Sequence, residues 1–175
     1  MIMKKILMMV AFVAMTMSAS AQSEGMKYYA SESINLEFPE DFTAGDGDEN
    51  EFSAEGDDNF SRMELRLSSM ASSLDQMKAW CKDRIESISS DEDGTWSAGD
   101  VVVKGKLATV RFDGQVEVLN DDTYKREMTK VVKISFTMTT PNQKQFYGSF
   151  YYKLADEAKM MPAFEKMVAS LKANQ

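Results

Sequence analysis

The sequence predicts an α+β fold built on an antiparallel sheet of about six strands. Three observations support this prediction. Apolar and polar residues alternate in several short segments, which is typical of strands with one buried face. Apolar residues recur at spacings of three and four in two other segments, which is typical of helices packed on a core. The order is strands, helix, a long run of strands and a second helix, which favours helices segregated from an antiparallel sheet.

The first predicted elements are two strands separated by an acidic loop. Apolar residues alternate with polar ones over 34–38, and Pro39 ends this strand because proline lacks an N–H donor. The stretch 40–58 holds nine acidic residues, no basic residue and three glycines, which predicts a turn-rich loop around a short strand at 51–54. Apolar and charged residues alternate again over 62–67, which predicts a strand with one solvent-facing side.

A helix is predicted over 73–88. Ser73 and Gln76 match the capping-box pattern, in which side chains and backbone N–H groups pair reciprocally at a helix N-terminus. Asp75 lies near the positive end of the helix dipole. One face of the helix carries an apolar stripe, which we expect to be buried. This stripe consists of Leu74, Met77, Cys81, Ile85 and Ile88.

The second half of the chain is predicted to be mostly sheet, closed by one more helix. The predicted strands are 101–103, 108–112, 116–119, 125–139 and 145–154. Turn-forming residues at 120–122 and 140–143 predict hairpin connections. Pro162 suits the first turn of the closing helix, where a missing N–H leaves no helical hydrogen bond unmade. The predicted buried face of this helix comprises Phe164, Met167, Val168 and Leu171.

Four features together resemble the Mog/PsbP-like superfamily. They are the strand Ile34-Asn-Leu-Glu-Phe-Pro39 before an irregular loop, the Ser73-Leu74 start of the first helix, the aromatic strand 146–152 that ends a meander, and the closing helix 161–172. The resemblance covers most of the chain and lies in the order of elements and in the helix ends. It implies an antiparallel sheet sandwiched between helices, an α/β/α sandwich. It also implies an accessory or binding role, because the superfamily shares no catalytic residues.

The N-terminal residues 1–21 have the three-part pattern of a secretory signal peptide. Two lysines precede an apolar run, and Ala19-Ser20-Ala21 forms the cleavage pattern. The run over 6–17 holds twelve residues, whereas a transmembrane anchor needs about 20. We therefore expect cleavage after Ala21, one mature domain over 22–175 with no transmembrane segment, and a periplasmic or extracellular location in a bacterium.

Composition excludes several classes of function. The 175-residue chain has no histidine, so a triad or dyad with a histidine base and a histidine-containing zinc site are excluded. A single cysteine, Cys81, excludes an internal disulfide and a four-cysteine metal or iron–sulfur site held by one chain. With 28 acidic and 20 basic residues the net charge is −8, and loss of Lys4 and Lys5 with the leader makes it −10. This acidic balance argues against binding to nucleic acid.

The acidic loop is the first candidate site, with calcium as the candidate ligand. Within 46–58, side-chain oxygens recur at alternate positions from Asp46 onward, and Asp57 occupies the twelfth position. An EF-hand loop needs glycine at its sixth position, where this chain has Glu51, and no helical pattern flanks the loop. A solvated acidic loop is the favoured interpretation, and a calcium-dependent interaction site is the alternative.

Cys81 is the second candidate. A nucleophilic cysteine needs a lowered thiol pKa, which a neighbouring histidine, a cation or a helix N-terminus provides. The chain has no histidine, and Cys81 lies two turns into the predicted helix on its apolar stripe. A small buried hydrophobic residue is therefore the favoured interpretation.

The aromatic strand 146–152 is the third candidate. One face of the strand carries Phe146, Phe150 and Tyr152, and the other carries Tyr147 and Tyr151. If helices cover both faces of the sheet, these residues are core. If one face is open, Tyr147 and Tyr151 could join Trp96 in a binding surface for a sugar, a peptide or a protein partner. Core is favoured, because aromatic residues are common strand formers.

The leading functional hypothesis is an exported, non-catalytic binding or accessory module for an unknown protein or small-molecule ligand. No catalytic, cofactor-binding or metal-ligating residue is assigned, and no cofactor is expected. A calcium-dependent interaction protein acting through 46–58 is one alternative. A histidine-free enzyme is the other, because a pair of carboxyl groups suffices for glycoside hydrolysis.

Overall fold

The computed structural model describes residues 23–88, 94–120 and 123–174. Within them it contains eleven strands, two α-helices and one turn of 3-10 helix at Leu154–Asp156. The strands are β1 (Met26–Ala30), β2 (Ile34–Pro39), β3 (Phe42–Ala44), β4 (Glu51–Gly56), β5 (Arg62–Ser68), β6 (Gly94–Ala98), β7 (Val102–Lys104), β8 (Leu107–Asn120), β9 (Lys125–Thr139), β10 (Gln145–Lys153) and β11 (Lys172–Ala173). The helices are α1 (Leu74–Ile88) and α2 (Glu157–Ser170).

Eight of these strands form one large antiparallel sheet. Its order is β3-β4-β5-β10-β9-β8-β6, and β7 also pairs with β8. The other three described strands form a small antiparallel sheet in the order β1-β2-β11. The α+β fold class is confirmed, but the large sheet has more strands than the predicted six. The difference arises partly because β3 and β6 are short segments without a strong apolar alternation.

One long strand, β8, replaces two separately predicted strands and forms a hairpin with β9. β8 is continuous where the sequence predicted a break between 108–112 and 116–119. The ring of Trp96 lies directly on Gly114 in the middle of this strand, where a Cβ atom would come within 2.4 Å of the ring. Glycine at this position therefore permits close packing and does not mark a turn. The predicted connection at 120–122 lies mostly outside the described residues.

One face of the large sheet is apolar and covered. Alternate side chains of β4, β5, β9 and β10 point toward it, and they share one core with residues of β2 and α2. The ring centroid of Phe164 on α2 lies 5.4 Å from that of Phe136 and 5.9 Å from that of Phe150. Large, fully buried side chains of this core are Ile34, Leu36, Phe42, Phe52, Met63, Phe136, Phe146, Phe150, Tyr152 and Met167. We call this the α2 face.

The opposite face is covered in part by α1, which packs on β8 and β9. The contact is small, and its buried members are Met77, Cys81, Ile88, Ala108, Val110 and Phe112. We call this the α1 face. Since the two helices lie on opposite faces of the large sheet, the sandwich arrangement that the resemblance implied is confirmed.

Two details of the helices differ from the predictions. Leu74 is 45 % exposed, because it lies in the first turn of α1, ahead of the residues that contact β8. α2 begins at Glu157, so Pro162 is its sixth residue and not a first-turn residue. Pro162 is exposed, whereas the buried face of α2 carries Met160, Ala163, Phe164 and Met167.

An ion-pair cluster joins the start of α2 to β8. Arg111 on β8 donates hydrogen bonds to both carboxylate oxygens of Glu157, in the first turn of α2, and to Asp113 at 2.7 Å. The bonds to these carboxylates raise the pKa of Arg111, and the bond from Arg111 holds the pKa of Glu157 below its ordinary value. The cluster thus ties the first turn of α2 to β8.

The predicted signal peptide, 1–21, lies outside the described residues. Neither helix in the described ranges combines the length and the apolar character needed to span a bilayer.

Candidate functional site

A groove of about 500 Å³ lies on the α1 face, between α1 and the strands that the helix leaves uncovered. Its floor is formed by side chains of β4, β5, β9 and β10, and one wall is formed by α1. Its polar and aromatic lining includes Glu51, Ser53, Glu64, Arg66, Trp80, Arg84, Lys133, Ser135, Tyr147 and Ser149. We call it the α1 groove.

Strand register places three serine side chains and one glutamate side chain in one line across the groove floor. Ser53 pairs with Glu64, Glu64 with Ser149, and Ser149 with Ser135. We call these four residues the serine row. In the described part of the chain no hydrogen bond engages the side chains of these four residues. The row therefore presents unpaired donors and acceptors to the groove.

Trp80 and Tyr147 lie beside the serine row. Their ring centroids are 5.4 Å apart, and the guanidinium of Arg84 lies 5.5 Å from the centroid of Trp80. The Tyr147 hydroxyl is 2.7 Å from the Ser72 hydroxyl, in the segment that leads into α1. The groove thus combines a fixed aromatic pair with a polar and charged lining.

A second concavity of about 570 Å³ adjoins the first and shares Arg66, Trp80 and Tyr147 with it. Its remaining lining includes Asn50, Ser68, Ser69 and Lys144. Trp80 therefore stands where the two concavities meet.

A buried polar network holds the N-terminal end of α1 against the sheet. The Gln145 side-chain oxygen accepts hydrogen bonds from the Thr139 hydroxyl at 2.6 Å and from the Ser72 backbone N–H at 3.1 Å. The Gln145 amide nitrogen donates to the Thr137 hydroxyl. Gln145 and Thr137 are fully buried, so these bonds form away from water.

The predicted capping box completes this anchor. The Gln76 N–H donates to the Ser73 hydroxyl at 3.2 Å, and the Ser73 N–H donates to the Gln76 side-chain oxygen at 2.7 Å. The network and the cap together position Trp80, one turn further along α1.

The structure separates the three aromatic residues that the sequence grouped as a conditional binding surface. Tyr147 is half-buried in the α1 groove, whereas Tyr151 is buried in another cluster with Trp96 and Phe60. The Tyr151 ring lies 6.2 Å from Trp96 and 4.9 Å from Phe60, and burial raises the pKa of Tyr151. The prediction that the aromatic residues belong to the core is thus correct for Tyr151. Of the two tyrosines, only Tyr147 lies on an open part of the sheet face.

The acidic stretch 40–58 forms β3, β4 and their connection, and several of its acids have partners elsewhere. Asp41 pairs with Lys159, and Glu49 accepts a hydrogen bond from Ser33 at 2.9 Å. Partial burial acts to raise the pKa of Asp58, but hydrogen bonds from Ser61 and Phe60 hold it below its ordinary value. Among the described residues, no group of three acidic, cysteine or histidine side chains is arranged to hold a metal ion.

Cys81 is fully buried between α1 and β8, and burial raises the pKa of its thiol to about 11. The thiol is therefore protonated at neutral pH. The prediction of a small buried hydrophobic residue is confirmed.

Three carboxylates line the α1 groove: Asp46, Glu51 and Glu64. Glu51 lies 3.7 Å from Arg66, and it neighbours Glu64 diagonally on adjacent strands of the same floor. The α1 groove therefore holds carboxylates from two adjacent strands, the kind of pair on which the histidine-free enzyme hypothesis depends.

Sequence reasoning missed Trp80, Arg66, Arg84 and the serine row. A signal was present, because Ser135 and Ser149 each interrupt an otherwise apolar or aromatic strand. Small hydroxyl residues at such positions mark a sheet face that is not packed against hydrophobic side chains.

No protein-family model matches the sequence, and a comparison with curated proteins finds no similar sequence. Solved structures do match. The PsbP protein (CyanoP) of Synechocystis aligns with a TM-score of 0.51 and 9 % identity over 88 % of this chain and 95 % of that one. The Ran-binding protein Mog1p of Saccharomyces cerevisiae aligns with a TM-score of 0.51 and 14 % identity over 84 % of this chain and 95 % of that one. A mutant of Mog1 gives 0.52 at 14 % identity over the same shares. The chain therefore has the Mog/PsbP-like fold that its sequence resembled.

Proposed function

We propose that this protein is an exported, non-catalytic binding module that holds its ligand in the α1 groove. The observation that carries the proposal is the serine row, which lies beside Trp80 and Tyr147 and has no hydrogen-bond partner in the described chain. A ligand in the groove would supply hydrogen-bond partners for these four side chains.

The size of the groove supports the same proposal. The volumes of the α1 groove and of the adjoining concavity both lie within the range of about 300–1,000 Å³ that small-molecule sites occupy. One structural neighbour is named for binding Ran, so this fold serves binding in at least one other protein.

The proposal of export depends on the pattern over 1–21. Mass spectrometry of the protein recovered from the periplasm or the medium of its host is the test. We expect a chain that begins at Gln22. Recovery of an exported chain with an intact Met1 would contradict the proposal.

Single-tryptophan variants test whether the groove binds. The chain has two tryptophans, and only Trp80 lines the α1 groove. Trp96→Phe leaves Trp80 as the only tryptophan, and Trp80→Phe leaves Trp96 as a reporter outside the groove. Each variant is titrated with neutral hexasaccharides and with hexapeptides of mixed sequence.

We expect at least one probe class to change Trp80 emission in a saturable way and to leave Trp96 emission unchanged. If neither class changes Trp80 emission, or if both reporters respond alike, the groove is not the binding site.

A further inference from the structure

We propose that the ligand of the α1 groove is a neutral oligosaccharide. This inference rests on the proposed function of the groove and names the class of its ligand.

The charges that line the groove are balanced, although the chain carries a net charge of −8. They are Asp46, Glu51 and Glu64 against Arg66, Arg84 and Lys133. Glu51 and Arg66 lie within 3.7 Å of each other, so part of this charge is already neutralised. A site for an ion presents an excess of the opposite charge. The balance here favours a neutral ligand.

The serine row matches a ligand with many hydroxyl groups. Each serine hydroxyl donates one hydrogen bond and accepts others, and the Glu64 carboxylate accepts only. The four residues lie on four adjacent strands about 4.8 Å apart, so the row extends across about 15 Å of the floor. A chain of sugar units carries donors and acceptors at short intervals over such a distance, whereas a single small molecule does not reach both ends.

Trp80 and Tyr147 supply the apolar half of a sugar site. A pyranose ring has one face of C–H groups, which packs on an aromatic ring, and a rim of hydroxyl groups, which needs hydrogen bonds. Trp80 borders both concavities, so sugar units on either side of it can contact its ring. The guanidinium groups of Arg66 and Arg84 add donors for ring and hydroxyl oxygens.

The strand pairing of the floor disfavours an extended peptide. Peptides commonly dock by adding a strand to a free sheet edge. β5, β10 and β9 lie in the interior of the large sheet, so their backbone groups are engaged within it. β3 pairs with β4 over residues 54–56, and the Ser53 carbonyl of β4 accepts a hydrogen bond from the Gly45 N–H at 2.9 Å. A peptide on this floor would therefore find mostly side-chain partners.

The experiment is a fluorescence titration of the Trp96→Phe protein with maltohexaose, cellohexaose and N-acetylchitohexaose. Hexapeptides of mixed sequence and inorganic phosphate form the comparison arms. We expect at least one hexasaccharide to change Trp80 emission in a saturable way, with a Kd that differs less than about twofold between low and high salt, because a neutral ligand releases no counterions.

Two matched variants in the same background locate the contact. Glu64→Gln removes the carboxylate of the serine row and is expected to weaken hexasaccharide binding about tenfold, because it removes a charge-assisted hydrogen bond. Glu165→Gln makes the same chemical change on the exposed side of α2 and is expected to bind like the parent. Ser149→Ala serves as a second groove variant if Glu64→Gln is not folded.

The outcomes separate this inference from the proposed function. Saturable groove binding by peptides or phosphate, with no response to any hexasaccharide, overturns the saccharide inference and leaves the groove as a binding site. Hexasaccharide binding that is equal in the Glu64→Gln and Glu165→Gln proteins overturns it as well. A lack of response to every probe overturns both proposals.

Discussion

The α2 face and the α1 face of the large sheet are built from alternate residues of the same strands, yet the α2 face is covered along these strands and the α1 face is covered only in part. On β10, Phe146, Phe150 and Tyr152 are fully buried in an aromatic core, whereas Tyr147 and Ser149 line a groove. The two-residue period of a strand makes this division possible. Under the proposed function, one face of the sheet provides stability and the other provides binding. Substitutions at adjacent positions of β10 should therefore affect either the free energy of unfolding or ligand binding.

The largest expected effect separates two neighbouring residues of β10. Phe150→Ala removes a fully buried ring that contacts Phe164 and Tyr152, and it should lower the free energy of unfolding by about 3–5 kcal/mol. Ser149→Ala, on the α1 face, should change it by less than about 0.5 kcal/mol. Urea unfolding followed by circular dichroism measures both. An equal decrease in the free energy of unfolding of the two variants would contradict the division of roles between the two faces.

The second expected effect concerns the polar anchor of α1. Gln145→Ala leaves the Ser72 N–H and the hydroxyls of Thr137 and Thr139 without their partner in a buried site. We expect a loss of about 2–4 kcal/mol in the free energy of unfolding. Amide exchange should also accelerate at the start of α1 more than in α2. Uniform acceleration along the chain would show that the network does not anchor α1 specifically.

The third expected effect is a pH dependence that originates from Cys81. Burial raises the thiol pKa from 9.0 to about 11 in the folded protein. Between these values the unfolded chain loses a proton that the folded chain retains, so stability falls as pH rises from about 9 to 11. The contribution is of the order of 2 kcal/mol.

Comparison with Cys81→Ala isolates this contribution. Unfolding free energies measured at pH 8 and pH 10.5 should fall more steeply for the parent than for the variant. Parallel slopes would contradict a buried, protonated thiol.

The smallest expected effect concerns the start of α2. Glu157→Gln weakens the pair with Arg111, whose side chains are about one-third exposed, and should cost about 0.5–1 kcal/mol near pH 6. Since the pKa of Glu157 is lowered in the folded protein, its contribution is present above the ordinary carboxyl pKa and is lost as pH falls through the lowered value. Thermal unfolding at pH 6 and pH 3 measures this change. The difference between parent and variant should shrink from pH 6 to pH 3, and a difference of the same size at both pH values would contradict the role of the ion pair.

Local periodicity predicted much of the fold. β2, α1 and β9 lie close to their predicted positions, because strong alternation or helical spacing marks them in the sequence. β6 was not predicted, because Thr95 and Ser97 alternate with few apolar residues. The prediction that Pro162 lies in the first turn of the closing helix was wrong, because α2 begins five residues earlier, at Glu157, whose partner Arg111 is distant in the sequence.

The candidate site was harder to predict. Tyr147 stood out within an aromatic strand, but the sequence did not distinguish it from Tyr151. The serine row depends on the register of four strands whose residues are far apart in the chain, from Ser53 to Ser149. Register is a tertiary property that single-strand patterns do not contain.

The most direct test of the account is to block the groove without disturbing the core. Ser149→Leu in the Trp96→Phe background places a larger side chain at the centre of the serine row and leaves the α2 face unchanged. We expect the free energy of unfolding to stay within about 1 kcal/mol of the parent, and the Trp80 response to hexasaccharide to disappear. A folded Ser149→Leu protein that retains the full Trp80 response would contradict the assignment of binding to the α1 face.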